Sequence, residues 1–162
     1  MRDKRIASHR FGEWGEWWVA AQGVLFVAAA IAPGKGRAWS PGWRRAGRIV
    51  GLPLALTGVG LARAGFRNLG TNLTPLPHPK DDATLVQDGV YGVVRHPIYG
   101  GVILGTLGAG LLTGNRTRTL LGLVFLAFFD AKARKEEAWL TEKLPAYPAY
   151  RRAVKKLIPY VY

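Results

Sequence analysis

Three polar clusters in this sequence contain residue types that binding and catalysis require. They read GVYGVVRHPIYGG over residues 89–101, RKEEAWL over residues 134–140 and YPAYRRAVKKLIPYVY over residues 147–162. Each cluster places polar groups at the boundary of a predicted membrane span. Ionisable groups beside or inside an apolar helix end cost free energy, so function is the default explanation for them.

The first cluster contains a histidine that directly precedes a proline. Pro97 disfavours the α conformation at His96 and suits a first helical turn, so the sequence predicts a helix that begins at Pro97. Backbone N–H groups at such a helix start can bind an anion. Arg95 can hold a carboxylate through two parallel hydrogen bonds or anchor to lipid phosphate. The simpler interpretation of His96 is that it only caps the helix.

The second cluster contains adjacent carboxylates, which cannot both face one point on a helix because only residues three or four apart are neighbours. We expect Glu137 to face the site, on the same side of the helix as Asp130. Glu136 is then expected to pair with Lys132 or to contact another part of a ligand. The alternative is that both carboxylates are solvated charges, which is the usual fate of a charged run.

Four uncharged segments must position these clusters. They cover residues 17–34, 49–62, 96–115 and 119–129. A spanning helix needs about 20 mostly apolar residues at about 1.5 Å each, so the first and third segments are long enough. The second is about 21 Å long and falls short unless Arg48 and Arg63 extend it by snorkelling. The fourth is too short alone and is expected to continue helically past Asp130, until Pro145 stops it after Leu144.

This pattern predicts an all-α, polytopic membrane helical bundle with about four transmembrane helices. A soluble bundle with buried core helices is the alternative. The link at residues 115–118 is short, so the third and fourth helices should form an antiparallel hairpin. Gly101 and Gly105 lie on one helix face and permit close contact with a neighbouring helix. In residues 68–90 the alternating prolines exclude a helix through the middle of the segment and predict an extended strip over the protein or the lipid headgroups.

Composition excludes several other classes of protein. The 162 residues are 49% hydrophobic, with no Cys and three His. A disordered chain and a disulfide framework are therefore excluded, and no metal site is expected. The net charge of +13 indicates an anionic partner. Because the basic residues separate apolar segments instead of covering one face of a soluble fold, we predict membrane lipids as that partner and no nucleic acid.

The distribution of basic residues predicts the orientation in the membrane. With four spans, 16 Lys and Arg fall on the side of the two termini and seven on the other side. The positive-inside rule then places both termini in the cytoplasm, although the basic loop 35–48 argues mildly against this. The N-terminal segment is similar to a signal peptide that ends at Ala30–Ala32. Glu13 and Glu16 interrupt that pattern, so a retained first span is expected.

Together these residues resemble a known family. Arg95 to Gly101 is similar to the RHPxYxG signature of the isoprenylcysteine carboxyl methyltransferase family, whose C-terminal core is shared with membrane phospholipid N-methyltransferases. Further matches in order and spacing are NLTP at 72–75, LVxxGVY at 85–91, EExxL at 136–140, YxxY at 147–150 and IP at 158–159. The resemblance covers residues 68–162. We therefore expect a single integral membrane domain over residues 1–162, with N-terminal spans in residues 1–67 and a methyltransferase-like catalytic core in residues 68–162.

The resemblance implies an integral membrane methyltransferase of the bacterial inner membrane that uses S-adenosyl-L-methionine. In such enzymes the C-terminal segment encloses the cofactor on the cytoplasmic side, and the lipophilic acceptor enters from the bilayer. A carboxylate can accept the ammonium or ribose hydroxyls of the cofactor, and tyrosine rings can pack on its adenine or sulfonium. The candidate cofactor-binding residues are Tyr91, Arg95, His96, Pro97, Tyr99, Gly100, Glu136, Glu137 and Tyr147.

The acceptor stays open at the level of sequence: a prenylated carboxylate, a phospholipid amine, a small thiol and another lipid-soluble nucleophile are all compatible with these residues. An isoprenylcysteine-like carboxylate needs a nearby cation, for which Arg134 and Arg151 are the candidate catalytic residues. A phospholipid amine needs a carboxylate base, for which Glu136 is the candidate. The last cluster forms a basic amphipathic segment that either docks on anionic lipid or acts as a lid over the cofactor. The alternative functions are an NADPH-dependent membrane reductase of related architecture and a non-catalytic basic membrane scaffold.

Overall fold

The computed structural model describes residues 10–32 and 39–162, and the described chain is helical. The five α-helices are α1 (Glu16–Ile31), α2 (Pro41–Leu69), α3 (Pro97–Thr113), α4 (Arg116–Lys143) and α5 (Tyr147–Ala153), with 3₁₀ turns at Gly70–Asn72 and Gly89–Gly92. Within the described ranges there is no β-strand, only an isolated parallel bridge between Val94 and Lys155. The all-α prediction is therefore confirmed. The residues before Arg10 and residues 33–38 lie outside the described residues. The predicted orientation, the comparison with a signal peptide and the predicted loop 35–48 all depend in part on these residues.

Helix boundaries follow local sequence signals. His96 has non-helical backbone angles (φ −123°, ψ 64°) and α3 begins at Pro97, as the sequence predicts. Gly114 ends α3 in the left-handed conformation, with φ 65°. The side chain of Asn115 then caps α4 by accepting a hydrogen bond from the backbone N–H of Arg118. α4 ends at Lys143, two residues before Pro145.

The interface between α2 and α3 is built from glycines that allow the two backbones to touch. A Cβ added at Gly51 would lie 2.7 Å from the carbonyl oxygen of Gly108, and one at Gly58 would lie 2.7 Å from that of Gly101. The same Cβ at Gly58 would also overlap the backbone of Gly105. The predicted close helix contact through Gly101 and Gly105 is confirmed.

α4 returns along α3 as the predicted antiparallel hairpin. The core between them contains Ile103, Phe125 and Phe129, and Leu157 from the C-terminal segment completes it. α1 packs on the outside of α4, where Phe26 lies 5.4 Å from Phe125 between ring centroids. The helices therefore converge at one end of the bundle, where α1, α3 and α5 begin and α2 and α4 end.

The structure revises which segment is long enough to span a membrane. Over the described residues the single helical stretch that passes by length and hydropathy is Pro41–Asn72, while α1 and α3 are shorter apolar helices of 16 and 17 residues. The sequence predicted the opposite ranking. α2 is longer than its uncharged segment because its flanking arginines are themselves helical, whereas α1 stops at Ile31, just before Pro33. The count of four spans stays a prediction.

Candidate active site

A cavity of about 330 Å³ lies at the end of the bundle where the polar clusters meet. Residues 72–86 form one wall, and the start of α3, the second half of α4 and α5 form the others. The polar and aromatic residues that line it are Gln22, Phe66, Asn72, Thr74, Thr84, Tyr91, Arg95, His96, Tyr99, Lys132, Glu136, Tyr147 and Tyr150. This volume is in the range of small-molecule binding sites, which are mostly apolar with a few convergent polar groups.

Residues 73–86 contain no helix, as their prolines predict, and are fixed to the rest of the protein. Thr84 donates its backbone N–H to Asn72 Oδ1 at 2.9 Å. His78 stacks on Trp14, with ring centroids 5.5 Å apart, and meets Trp139 of α4 at 5.2 Å. The cavity wall is therefore tied to both the N-terminal turn and α4.

The C-terminal segment positions Arg95 and His96 through their backbones. Arg95 N donates to Lys155 O at 2.8 Å, and His96 N donates to Lys156 O at 2.9 Å. Gly100 allows this approach, because a Cβ there would overlap the carbonyl oxygen of Leu157. The cluster at residues 147–162 thus supports the start of α3 directly.

Glu137 is the centre of a buried ion cluster beneath the cavity. Its Oε1 lies 2.8 Å from Arg95 Nε and 3.0 Å from His96 Nε2, and its Oε2 lies 3.1 Å from Arg151 Nε. Burial alone would raise the pKa of Glu137, but hydrogen bonds from His96 and Arg95 outweigh it and lower the pKa to about 2. Because an ionised carboxylate only accepts, His96 Nε2 carries a hydrogen.

Glu136 faces the cavity instead. Its Oε2 accepts a hydrogen bond from the Tyr99 hydroxyl at 2.8 Å and lies 3.8 Å from His96 Nδ1. Glu137 does not line the cavity. The orientation of the two carboxylates is therefore the reverse of the expected one, since α4 is rotated so that Glu137 points at Arg95 and Glu136 at the open space.

Aromatic rings line the cavity beside Glu136. The rings of His96 and Tyr99 are parallel within 2°, with centroids 5.3 Å apart, and Tyr99 stacks in turn on Phe129 at 4.5 Å. Tyr91 and Tyr147 also line the cavity, and burial raises the pKa of both phenols, so they are neutral. These faces can pack against a planar ring or a cation.

Lys132 is a cavity residue that sequence reasoning considered only as a partner of Glu136. Its ammonium donates to Gln22 Oε1 at 2.6 Å and to Pro75 O at 3.0 Å. It also lies 5.3 Å from the centroid of the Tyr99 ring. Burial lowers the pKa of Lys132 to about 8. Two features of the sequence could have indicated this role. Lys132 lies one helical turn before Glu136, and Gln22 is an isolated polar residue in an apolar segment.

Several other predicted site residues do not reach the cavity. Arg134 is 68% exposed and pairs with Asp130, and Arg151 is 52% exposed and pairs with Glu137. Neither arginine lines the cavity, so the structure does not bring the two predicted catalytic cations to it. Pro97 and Gly100 are buried at the start of α3 and shape the backbone there without lining the cavity.

Comparison with known sequences gives a consistent set of relatives. Residues 46–146 match the family model described as phospholipid methyltransferase. The chain is 30% identical, over 97% of its length, to the cobalt-zinc-cadmium resistance protein CzcN of Cupriavidus metallidurans, of which it covers 67%. It is 42% identical, over 49% of its length, to protein-S-isoprenylcysteine O-methyltransferase of Schizosaccharomyces pombe, of which it covers 35%.

A solved structure has the same fold. The eukaryotic intramembrane Ras methyltransferase ICMT (isoprenylcysteine carboxyl methyltransferase) superposes with a TM-score of 0.63 and 24% sequence identity. The match covers 90% of this chain and 52% of that one. The chain thus spans about half the length of that methyltransferase and a smaller share of the S. pombe protein.

Proposed function

The chain belongs to the phospholipid methyltransferase family, and on this premise we propose that it is an integral membrane methyltransferase that takes its methyl group from S-adenosylmethionine. The observation that carries the proposal is the cavity itself. It places the carboxylate of Glu136, the ring of His96 and the ring of Tyr99 around one space of about 330 Å³. We further propose that the termini and this cavity face the cytoplasm of a bacterial cell.

The residues present fit the proposed methyl donor. Glu136 would accept hydrogen bonds from the ammonium or the ribose hydroxyls, because a carboxylate offers several acceptor sites. Tyr91 and Tyr147 would contact the adenine and the sulfonium through their ring faces, whereas the faces of Tyr99 are taken by His96 and Phe129. When bound, S-adenosylmethionine supplies an electrophilic methyl group for an in-line displacement. The chain itself then needs to orient two reactants and exclude water, and no covalent nucleophile is required.

Glu137 would act on the donor only through the residues that it holds. It fixes the side chains of Arg95 and His96, which both line the cavity. We therefore propose that Glu136 contacts the cofactor and that Glu137 positions the groups beside it. Pro97 and Gly100, which were also predicted to contact the cofactor, would instead act by shaping the backbone at the start of α3.

We propose Lys132 as the group that binds the acceptor. A lysine ammonium has three donor hydrogens, and Gln22 and Pro75 take two of them. The remaining hydrogen is available to an anionic group in the cavity. This position favours a lipophilic carboxylate, as in the isoprenylcysteine named for the S. pombe relative, over a phospholipid amine. Lys132 thereby replaces Arg134 and Arg151 as the proposed cation.

Two experiments test these assignments separately. Calorimetric titration of the detergent-purified protein with S-adenosylmethionine, S-adenosylhomocysteine and NADPH tests the donor. Binding of the first two without NADPH supports the methyltransferase, NADPH binding alone supports a reductase, and no binding by folded protein supports a scaffold. Transfer of a radiolabelled methyl group to N-acetyl-S-farnesylcysteine or to phosphatidylethanolamine then tests the acceptor. Methylation of the amine lipid alone would overturn the role given to Lys132.

A further inference from the structure

The two ends of the bundle carry very different charges. The acidic residues in the described ranges all lie at the end that contains the cavity: Glu13, Glu16, Asp81, Asp82, Asp88, Asp130, Glu136, Glu137 and Glu142. The opposite end carries five arginines, which we call the arginine end: Arg44, Arg45, Arg48, Arg116 and Arg118. In residues 10–32 and 39–162, therefore, no carboxylate faces these five cations.

The fold brings the five arginines together from two separate helices. Arg44, Arg45 and Arg48 lie in the first turns of α2, and Arg116 and Arg118 lie in the first turn of α4. The start of α2 packs beside the end of α3, since a Cβ at Gly47 would lie 2.7 Å from the carbonyl oxygen of Leu111. Only two residues then separate α3 from α4.

These side chains are available to a partner. All are exposed except Arg118, which is half-buried. Among the ion pairs of the described residues, none involves an arginine of this end. Their positions also strengthen the need for a counter-charge, because the start of a helix already carries partial positive charge.

The apolar surface beside the arginine end indicates which partner supplies that counter-charge. α2 exposes large apolar side chains directly after Arg48, including Ile49, which is 66% exposed, and Leu56, which is 64% exposed. Trp43 is 69% exposed at the boundary, where membrane proteins carry aromatic side chains. Arg48 and Arg63 are separated by about 22 Å of helix, which is less than the ~30 Å of a bilayer core. In a bilayer the arginine side chains would extend outward along the helix to reach the lipid phosphates, as long basic side chains do at the ends of short spans.

We propose that the arginine end binds the phosphate groups of anionic phospholipids in the leaflet opposite the active site. Guanidinium is suited to this because its planar fork donates two parallel hydrogen bonds to a phosphate and is weakly hydrated. This surface is separate from the cavity, so the inference does not depend on the proposed methyl transfer.

The test compares lipid retention by three purified proteins in detergent. Each is mixed with phosphatidylglycerol or phosphatidylcholine, and bound lipids are counted by native mass spectrometry. Wild type is expected to retain phosphatidylglycerol preferentially. The variant R44Q/R45Q/R48Q should lose that retention by about a hundredfold, because the electrostatic contributions of three basic residues near an anionic surface add together. The matched variant R63Q/R67Q/R152Q removes the same charge at the cavity end and should lose about twofold or less, because carboxylates there already compete.

Three results would overturn the proposal: equal retention of both lipids by wild type, equal losses in the two glutamine variants, or full displacement of phosphatidylglycerol by inorganic phosphate. The last result would assign the surface to a soluble anion.

The variant R44K/R45K/R48K guards against a folding defect, because it keeps the charge while removing the two-pronged geometry. It should melt like wild type and retain an intermediate amount of phosphatidylglycerol, whereas wild-type retention would overturn the part played by guanidinium geometry.

Discussion

Glu136 and Glu137 are adjacent in sequence but their carboxylates have separate surroundings. Glu136 accepts a hydrogen bond from the Tyr99 hydroxyl at the cavity surface, while Glu137 is buried against Arg95 and His96. A one-residue step on a helix turns a side chain by about 100°, since 3.6 residues make one turn. One carboxylate is therefore available to a ligand, and the other holds the protein groups around it.

Replacing Glu137 with glutamine should reduce stability. The substitution leaves Arg95 buried without its counter-charge, and breaking a buried pair in this way costs about 3–5 kcal/mol. Thermal unfolding in detergent should show a clearly lower midpoint for E137Q. The matched variant E142Q removes an exposed carboxylate of the same helix and should melt like wild type. Equal midpoints for E137Q and E142Q would contradict the ion cluster.

The acid sensitivity of the protein should depend on the same carboxylate. The pKa of Glu137 is lowered from 4.5 to about 2, so its contribution to stability is complete above pH 4.5 and is lost as pH falls toward 2. Asp130 contributes in the same direction, because its pKa is also lowered to about 2. The unfolding midpoint of E137Q should therefore fall less steeply over this range than that of wild type. Parallel curves would argue against a strongly lowered pKa for Glu137.

Binding of a carboxylate acceptor should weaken at alkaline pH. The pKa of Lys132 is lowered from 10.5 to about 8, so the ammonium that would bind the acceptor loses its proton above that pH. The KM for the prenylated acceptor should rise through pH 8, while the Kd for S-adenosylhomocysteine should change little. K132R should move the rise to higher pH, whereas K132M should raise KM below pH 8 and abolish its dependence on pH, because the methionine side chain has no proton to lose. An unchanged KM in K132M would remove Lys132 from the acceptor site.

The C-terminal segment should depend on Asp130 for its position. Asp130 accepts hydrogen bonds from Lys156 Nζ and from the Tyr162 hydroxyl, and the Lys156 carbonyl in turn holds the backbone of His96. D130N should therefore accelerate hydrogen exchange at the His96 amide and weaken binding of S-adenosylhomocysteine. E142Q again serves as the control. Faster exchange confined to residues after Lys155 would show that the segment does not hold His96.

Two glycines of α2 offer a matched test of the helix interface. A Cβ at Gly58 would press on the α3 backbone, 2.7 Å from the carbonyl oxygen of Gly101, whereas a Cβ at Gly60 meets nothing within 4 Å. G58A should lower the unfolding midpoint, because backbone cannot move aside. G60A should raise it slightly, since alanine is favoured over glycine in a helix by about 1 kcal/mol. If both variants raise the midpoint, the close packing of α2 on α3 is wrong.

The parts of this structure that were predictable from sequence are those set by near neighbours in the chain. Pro97 fixes the start of α3, Pro145 the end of α4, and Gly101 with Gly105 marks a helix face that can pack closely. The length of α2 was not predictable in this way, because the sequence around its flanking arginines does not indicate whether the helix continues through them.

The parts that sequence missed depend on distant contacts. Lys132 meets Gln22 and Pro75, which are 110 and 57 residues away, so no local pattern reveals a cavity between them. Which of Glu136 and Glu137 faces the cavity depends on the rotation of α4 about its axis. Arg95, which lies just before α3, favours the observed rotation by pairing with Glu137. Charged residues occur on several faces of this part of α4, so periodicity does not identify the side that faces inward.

Titration of S-adenosylmethionine into the purified protein and into E136Q tests the central claim most directly. Wild type should bind with a measurable heat, and E136Q should bind about tenfold or more weakly, because a hydrogen bond to a charged group contributes about 1.5–3 kcal/mol. E136Q should keep the wild-type melting temperature, which separates lost contact from lost fold. Equal affinity in the two proteins, or no binding by folded wild type, would contradict the account.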